Sequence, residues 1–215
     1  MRIRTKSLGG AGLVLVAALA VAAAPVMAHG RPVGTFTSTT VPIQDTSKGA
    51  GLNIHGFATL TLKGVNLTAR ITATGASPNL PHLMHIHGDI GMLNDCPNIF
   101  DDRDADLDND GFLNNAEAEP AYGPILVTFT TTGSTSAAAA LNLETAVMAD
   151  SEGRIDYTRK FRIPGKVAVN LSDLHIVIHG ADLDESGAYD GVVGSFPGVP
   201  LEAELPVSCG VIDRK

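Results

Sequence analysis

"FATLTLKGVNLTARITA", residues 57–73, decides the fold class of this 215-residue chain. In its first half Ala58, Leu60 and Leu62 fall on one face of an extended chain, and Thr59, Thr61 and Lys63 on the other. Beyond Gly64, Leu67, Ala69, Ile71 and Ala73 alternate in the same way with Thr68, Arg70 and Thr72. Successive side chains of a strand point to opposite faces, so a period of two predicts two strands with one apolar face each. The runs "PILVTFTTTG", "GRIDYTRKFRI", "KVAVNL", "HIVIHG" and "AELPVSCGVI" repeat the pattern between Gly, Pro and Asn punctuation. Short strands set off by such turns predict an all-β antiparallel sandwich or barrel. Helical hints are confined to "NNAEAE" (114–119) and "AAAALNLETAV" (137–147), and two long loops are expected at 88–123 and 180–202.

Upstream of the strands, Arg2, Arg4 and Lys6 precede the apolar run "GLVLVAALAVAAAPVMA", closed by Val26 and Ala28. A charged start, an apolar stretch and small residues before a cut are the marks of a secretory signal peptide, expected over 1–28. The chain is therefore expected to be secreted or periplasmic, with no membrane span in its mature part. Residues 29–53, rich in Thr, Ser, Pro and Gly, read as a loose arm with one edge strand near "GTFTSTT"; the β domain is expected over 54–215. The net charge of the whole chain is −8, and the leader carries three positive and no negative charges, so the remainder stands near −11. That balance excludes nucleic-acid partners and anionic membrane surfaces, which need basic patches. It leaves a metal or small molecule as the expected ligand. The two cysteines, Cys96 and Cys209, both fall in the exported part, where an oxidising compartment predicts one disulfide.

Histidine placement gives the first functional signal. In "HLMHIHG" (82–88) strand parity puts His85 and His87 on one face, while His82 sides with Met84 and Ile86 and reads as a packing residue. In "LHIVIHG" (174–180) Ile176 and Ile178 share one face, and His175, Val177 and His179 the other. Imidazoles presented from two strands suit copper or zinc. Residues 106–117, "DLDNDGFLNNAE", carry Asp106, Asp108 and Asp110 at positions 1, 3 and 5, Gly111 at 6, Asn114 at 9 and Glu117 at 12. That is the full twelve-residue calcium pattern, with the Phe112 carbonyl at position 7. Pro120 cuts the exit helix short, so a stand-alone loop is expected in place of a paired EF-hand. A weaker echo, "DLDESGAYDG", has Asp182, Asp184, Ser186, Gly187 and Asp190 in the corresponding places, but Val193 at position 12 offers no carboxylate.

"HLMHIHG" with Cys96 nine residues after His87, then "LHIVIHGADL" and a terminal "SCGVI", resembles the Cu/Zn superoxide dismutase family over roughly residues 55–215. The resemblance implies a Greek-key β-barrel with copper held on its outer face by His85, His87 and His179, and a Cys96–Cys209 disulfide. It implies superoxide dismutation as the activity, with His175, His29 or water as further candidate ligands. The chain departs from the family at defined points. The bridging histidine would fall near Asp102, no histidine lies between His87 and His175, and Pro206 stands where the family has an arginine. A zinc site is therefore not expected, and the calcium-type loop occupies its region. "HIHG" followed by "GPILVTFTTTG" is also similar to CHRD domains, which imply a non-catalytic β-sandwich module.

Overall fold

The computed structural model describes residues 32–92, 94–101 and 105–215; the expected leader, His29 and Asp102 lie outside them. Its strands are β1 (Val33–Pro42), β2 (His55–Lys63), β3 (Asn66–Thr74), β4 (Pro81–His82), β5 (Met84–His87), β6 (Ile125–Thr128), β7 (Val147–Met148), β8 (Ile155–Arg162), β9 (His175–His179), β10 (Pro206–Val211) and β11 (Asp213–Arg214). Three short helices accompany them: α1 (Asn115–Tyr122), α2 (Gly165–Val169) and α3 (Leu201–Glu204). The main sheet is antiparallel and runs β6-β5-β9-β10-β1-β2-β3-β8, curled into a half-barrel, with β11 against β1. β4 and β7 pair apart from it.

The opening stretch of sequence forms the β2–β3 hairpin, with Lys63 facing Asn66 and only Gly64 and Val65 between them. Gly64 takes φ 65°, the positive value that a tight hairpin asks of its first central residue. Ala58, Leu60, Leu62, Leu67, Ala69 and Ile71 all lie in the core, as their alternation requires. After this meander the chain crosses to the other end of the sheet. There β5 pairs with β9 (His87 opposite His175, His85 opposite Val177) and with β6. The first long strand closes on the last: Val41 and Pro42 face Cys209 and Ser208.

The stretch expected to be a loose arm is different. β1 pairs with β2 from Val33 to Thr40 and with β10 beyond, so it is an interior strand. Its period of two is hidden because two inward positions, Ser38 and Thr40, are polar yet buried. Ser38 stays satisfied by donating its hydroxyl to the Gly210 carbonyl at 2.9 Å. The "AAAALNLETAV" stretch forms two single 3₁₀ turns, Ala137–Ala139 and Leu143–Thr145, before β7. Asn142 interrupts it by accepting the Glu144 N–H on its side chain.

Two apolar clusters hold the sheet. Met84, Ile86, Ile176 and Ile178 join the barrel interior. On the opposite face Ile43, Ile99, Leu113, Ala118, Tyr122, Val177 and Cys209 form a second cluster under the 88–123 loop. The Cys96–Cys209 disulfide pins that loop to β10. β5 and β9 are consequently buried on both faces, and their histidines lie beneath loops. No helix among the described residues is long and apolar enough to cross a membrane.

Candidate metal centre

His85 and His87 come from β5 and His179 from the end of β9, and one ring nitrogen from each lies within 4.8 Å of the others. Ring centroids are 4.8 Å apart for His85 and His179, 5.5 Å for His85 and His87, and 5.6 Å for His87 and His179. All three residues are buried. The outer nitrogen of each ring donates to a main-chain carbonyl. His85 Nε2 bonds Ala140 O at 3.1 Å, His87 Nδ1 bonds Gly123 O at 2.8 Å and His179 Nδ1 bonds Glu204 O at 2.7 Å. The remaining nitrogens, His85 Nδ1, His87 Nε2 and His179 Nε2, are buried without any hydrogen-bond partner.

Burial holds all three rings neutral. Desolvation is the main cause for each: it pushes His87 down to about 3 and His179 to about 4, and His85 well below the ordinary histidine value. The neighbouring imidazoles push His85 and His87 further the same way. A neutral imidazole with one nitrogen donating has a lone pair on the other. Each ring thus keeps one free lone pair with its tautomer set by a backbone carbonyl, and one nitrogen of each lies within 4.8 Å of the others, a geometry that could hold a metal ion. An orphaned buried acceptor is costly unless something fills its place. Three nitrogens about 2 Å from one ion stand about 3.5 Å apart in a trigonal arrangement, within the observed limit.

The other histidines divide as follows. His82 is wholly buried, with Nδ1 at 3.1 Å from the His179 carbonyl and Nε2 at 3.2 Å from that of Ser77, so it is a packing residue braced against β9. His175 faces His87 across the β5–β9 pair and is buried with neither nitrogen hydrogen-bonded, but it is outside the convergent set. Sequence parity could not find the carbonyls of Gly123, Ala140 and Glu204, because long connections bring them in. Tyr122, the last residue of α1, was likewise missed. Its ring meets that of His87 at 4.4 Å and 67°, and its hydroxyl donates to Asn115 Oδ1 at 3.1 Å.

The 106–117 loop brings carboxylate oxygens of Asp106, Asp108 and Glu117 within 4.8 Å of one another. Glu117 accepts from the Leu107 N–H at 2.7 Å and the Asn114 N–H at 2.9 Å, and Asp106 accepts from Gly111 N–H at 3.1 Å. Asp106 Oδ1 is buried and unpartnered. Asp110 stays outside this trio, accepts from the Phe112 N–H, and has its carboxyl raised by burial first and by Asp108 and Asp106 next. Asn114 is the N-cap of α1, in a capping box completed by Glu117. Gly111 takes φ 88°, as position 6 of such a loop demands, and Asn109 takes φ 59°.

The second acidic loop repeats this geometry with one substitution. Leu183 and Asp190 N–H groups donate to a single carboxylate, as Leu107 and Asn114 do in the first loop, but here the acceptor is Glu202 of α3. Gly187 N–H donates to Asp182 Oδ2 at 2.8 Å, and Glu185 and Gly187 take φ 61° and 83°. Asp182, Asp184 and Glu202 oxygens fall within 4.8 Å. The missing position-12 carboxylate is therefore supplied from well outside the motif, where no local pattern could reveal it. The two loops also touch: Ser195 Oγ donates to Asn114 Oδ1 at 2.9 Å, and the Ser195 N–H donates to Glu204 Oε1.

No family model matches this chain, and none of the curated proteins matches it.

Proposed function

We propose that this chain is an exported copper-binding protein, a relative of the Cu/Zn superoxide dismutases in which a calcium loop stands in place of the zinc loop. One observation carries the copper reading: three buried imidazole nitrogens converge without partners while their ring mates donate to backbone carbonyls. An all-imidazole set suits copper and gives calcium, a hard oxygen-seeking ion, nothing it prefers. Bound copper would supply one-electron redox chemistry. The chain's own part is to hold three neutral rings in fixed tautomers and to exclude water around them. The calcium reading rests on the complete motif together with the convergence of Asp106, Asp108 and Glu117. The disulfide accords with an oxidising destination.

Binding without turnover is favoured over dismutation. The free nitrogens have no route to solvent among the described residues, and superoxide must reach the metal region to react. Pro206, opposite His179, offers no guanidinium to attract an anion. Metal analysis of the exported protein and a copper titration test the reading. One copper per chain is expected, and none after His87→Gln with His179→Gln; copper retention by that double variant refutes the site. Calcium is expected to raise Tm by several degrees at a hundredfold excess over Kd, about 2.7 kcal/mol, and Asp108→Asn with Asp110→Asn to abolish that rise. Superoxide removal by the copper-loaded protein is expected to fall below that of the same amount of free copper; a rate above it overturns the non-catalytic reading in favour of a dismutase.

A further inference from the structure

Helix α1 is the physical link between the calcium loop and the histidines. At its start, Glu117 belongs to both elements: position 12 of the loop and the third residue of the helix, where it closes the capping box with Asn114. At its end, Tyr122 packs on His87, and the carbonyl of the next residue, Gly123, accepts a hydrogen bond from His87 Nδ1–H. α1 is too short to hold itself. It has eight residues, and Pro120 within it lacks the N–H that would bond the Ala116 carbonyl. Its order comes from the packing of Ala118 and Tyr122 and from the closure of the loop before it.

Three carboxylates in one loop repel each other until a cation arrives. A cation that draws Glu117 inward fixes the first turn of α1, and through it the ring and carbonyl that orient His87. A second route runs from Asn114 through Ser195 to Glu204, whose carbonyl holds His179. We infer that calcium in the 106–117 loop and copper at His85, His87 and His179 bind with positive coupling, transmitted mainly through Tyr122 and Gly123. This rests on the copper and calcium reading above and adds regulation to it: calcium, abundant outside cells, arms the copper site. The gain is pre-organisation, since copper meets a ring already ordered.

The test is a competition titration of the full-length exported protein against a chromophoric Cu(I) chelator, in EGTA and in saturating calcium. Copper Kd is expected to fall by roughly 5- to 150-fold with calcium, and calcium Kd by the same factor with copper, because coupling is reciprocal. Asp108→Asn with Asp110→Asn is expected to hold copper at the EGTA affinity in either buffer. Tyr122→Leu is expected to bind both ions with the coupling reduced several-fold, to what the Gly123 carbonyl and the Ser195 route still carry. Tyr122→Phe, which keeps the ring and removes only the Asn115 bond, is the control for folding and is expected to keep part of the coupling. Unchanged copper affinity while both ions bind overturns the coupling and leaves the two sites standing. Full coupling in Tyr122→Leu overturns the route through α1. Failure of either ion to bind overturns the coupling together with the function proposed for that site.

Discussion

Acidification tests the neutral, buried state of the histidines without any metal. In the metal-free protein His87 titrates at about 3 and His179 at about 4, both lowered chiefly by burial, against about 6.5 for a histidine in an unfolded chain. About one pH unit above 6.5 neither state holds the proton and these groups contribute no pH dependence. Below it the unfolded chain takes up protons that the folded chain refuses, so stability falls as pH falls. Each ring contributes about 1.4 kcal/mol per pH unit in that window, so His87 and His179 together remove about 3 kcal/mol between pH 7.5 and 5.5. His85 acts in the same direction. Asp110 and Glu204, whose carboxyls are raised by burial, act in the opposite one. The assay is urea unfolding with chelator present, at both pH values and constant ionic strength, on the native chain and on His87→Gln. Reading the difference between the two proteins cancels the carboxylates, and the native chain is expected to lose about 1.4 kcal/mol more than the variant. Equal losses would mean that His87 is solvated in the folded state, which removes the basis for a prebuilt site.

Two further outcomes follow from the elements around the site. Replacing both Cys96 and Cys209 by alanine frees a sequence separation of 113 residues and is expected to lower unfolding stability by at most about 4–5 kcal/mol in thermal or urea unfolding. A loss below about 1 kcal/mol would mean that α1 and its loop are held without it. Gly123→Ala is expected to destabilise the chain by more than 1–2 kcal/mol, roughly the cost of φ 78° to a residue with a side chain, and to weaken copper binding. The new Cβ would stand 2.5 Å from Asp89 N and the Gly88 carbonyl carbon, so the carbonyl that orients His87 must move; unchanged copper affinity would show that this hydrogen bond does not position the ring.

Alternation read β2, β3, β8 and β9, but it misread "KVAVNL", where Gly165–Val169 forms helix α2 with Val167 and Ala168 buried. The single strand it gave "HLMHIHG" is broken at Leu83, so that His82 pairs in β4 with β7, apart from His85 and His87 on β5. It failed on β1, where Ser38 and Thr40 are buried through pairings that no local pattern encodes. It also failed to register that β5 and β9 are covered on their second face. Their cover is the 88–123 loop, whose apolar residues Ile99 and Leu113 are scattered without a period. Glu202 was out of reach for the same reason: it joins Asp182 and Asp184 by tertiary folding, while the motif itself ends at Val193. Local repetition is legible because it repeats; a loop that closes over a site is specified by long-range pairs that occur once.

The donor set bears on chemistry as well as affinity. Three neutral imidazoles bring no negative charge, and their free nitrogens are buried. The electrostatic penalty of burying an ion grows with the square of its charge, so a monovalent copper costs far less there than a divalent one. Glu204, whose main-chain carbonyl holds His179, has its carboxylate engaged by the Ser195 N–H and raised toward its neutral form by burial. A site so built favours Cu(I), for which three ligands suffice, and disfavours the oxidised ion, which seeks a fourth and a tetragonal arrangement. Rapid cycling between the two states needs both to be accommodated at similar free energy. On the copper reading proposed above, the features that would hold the ion also disfavour rapid turnover, and they follow from the loops that close over β5 and β9 rather than from the histidines themselves.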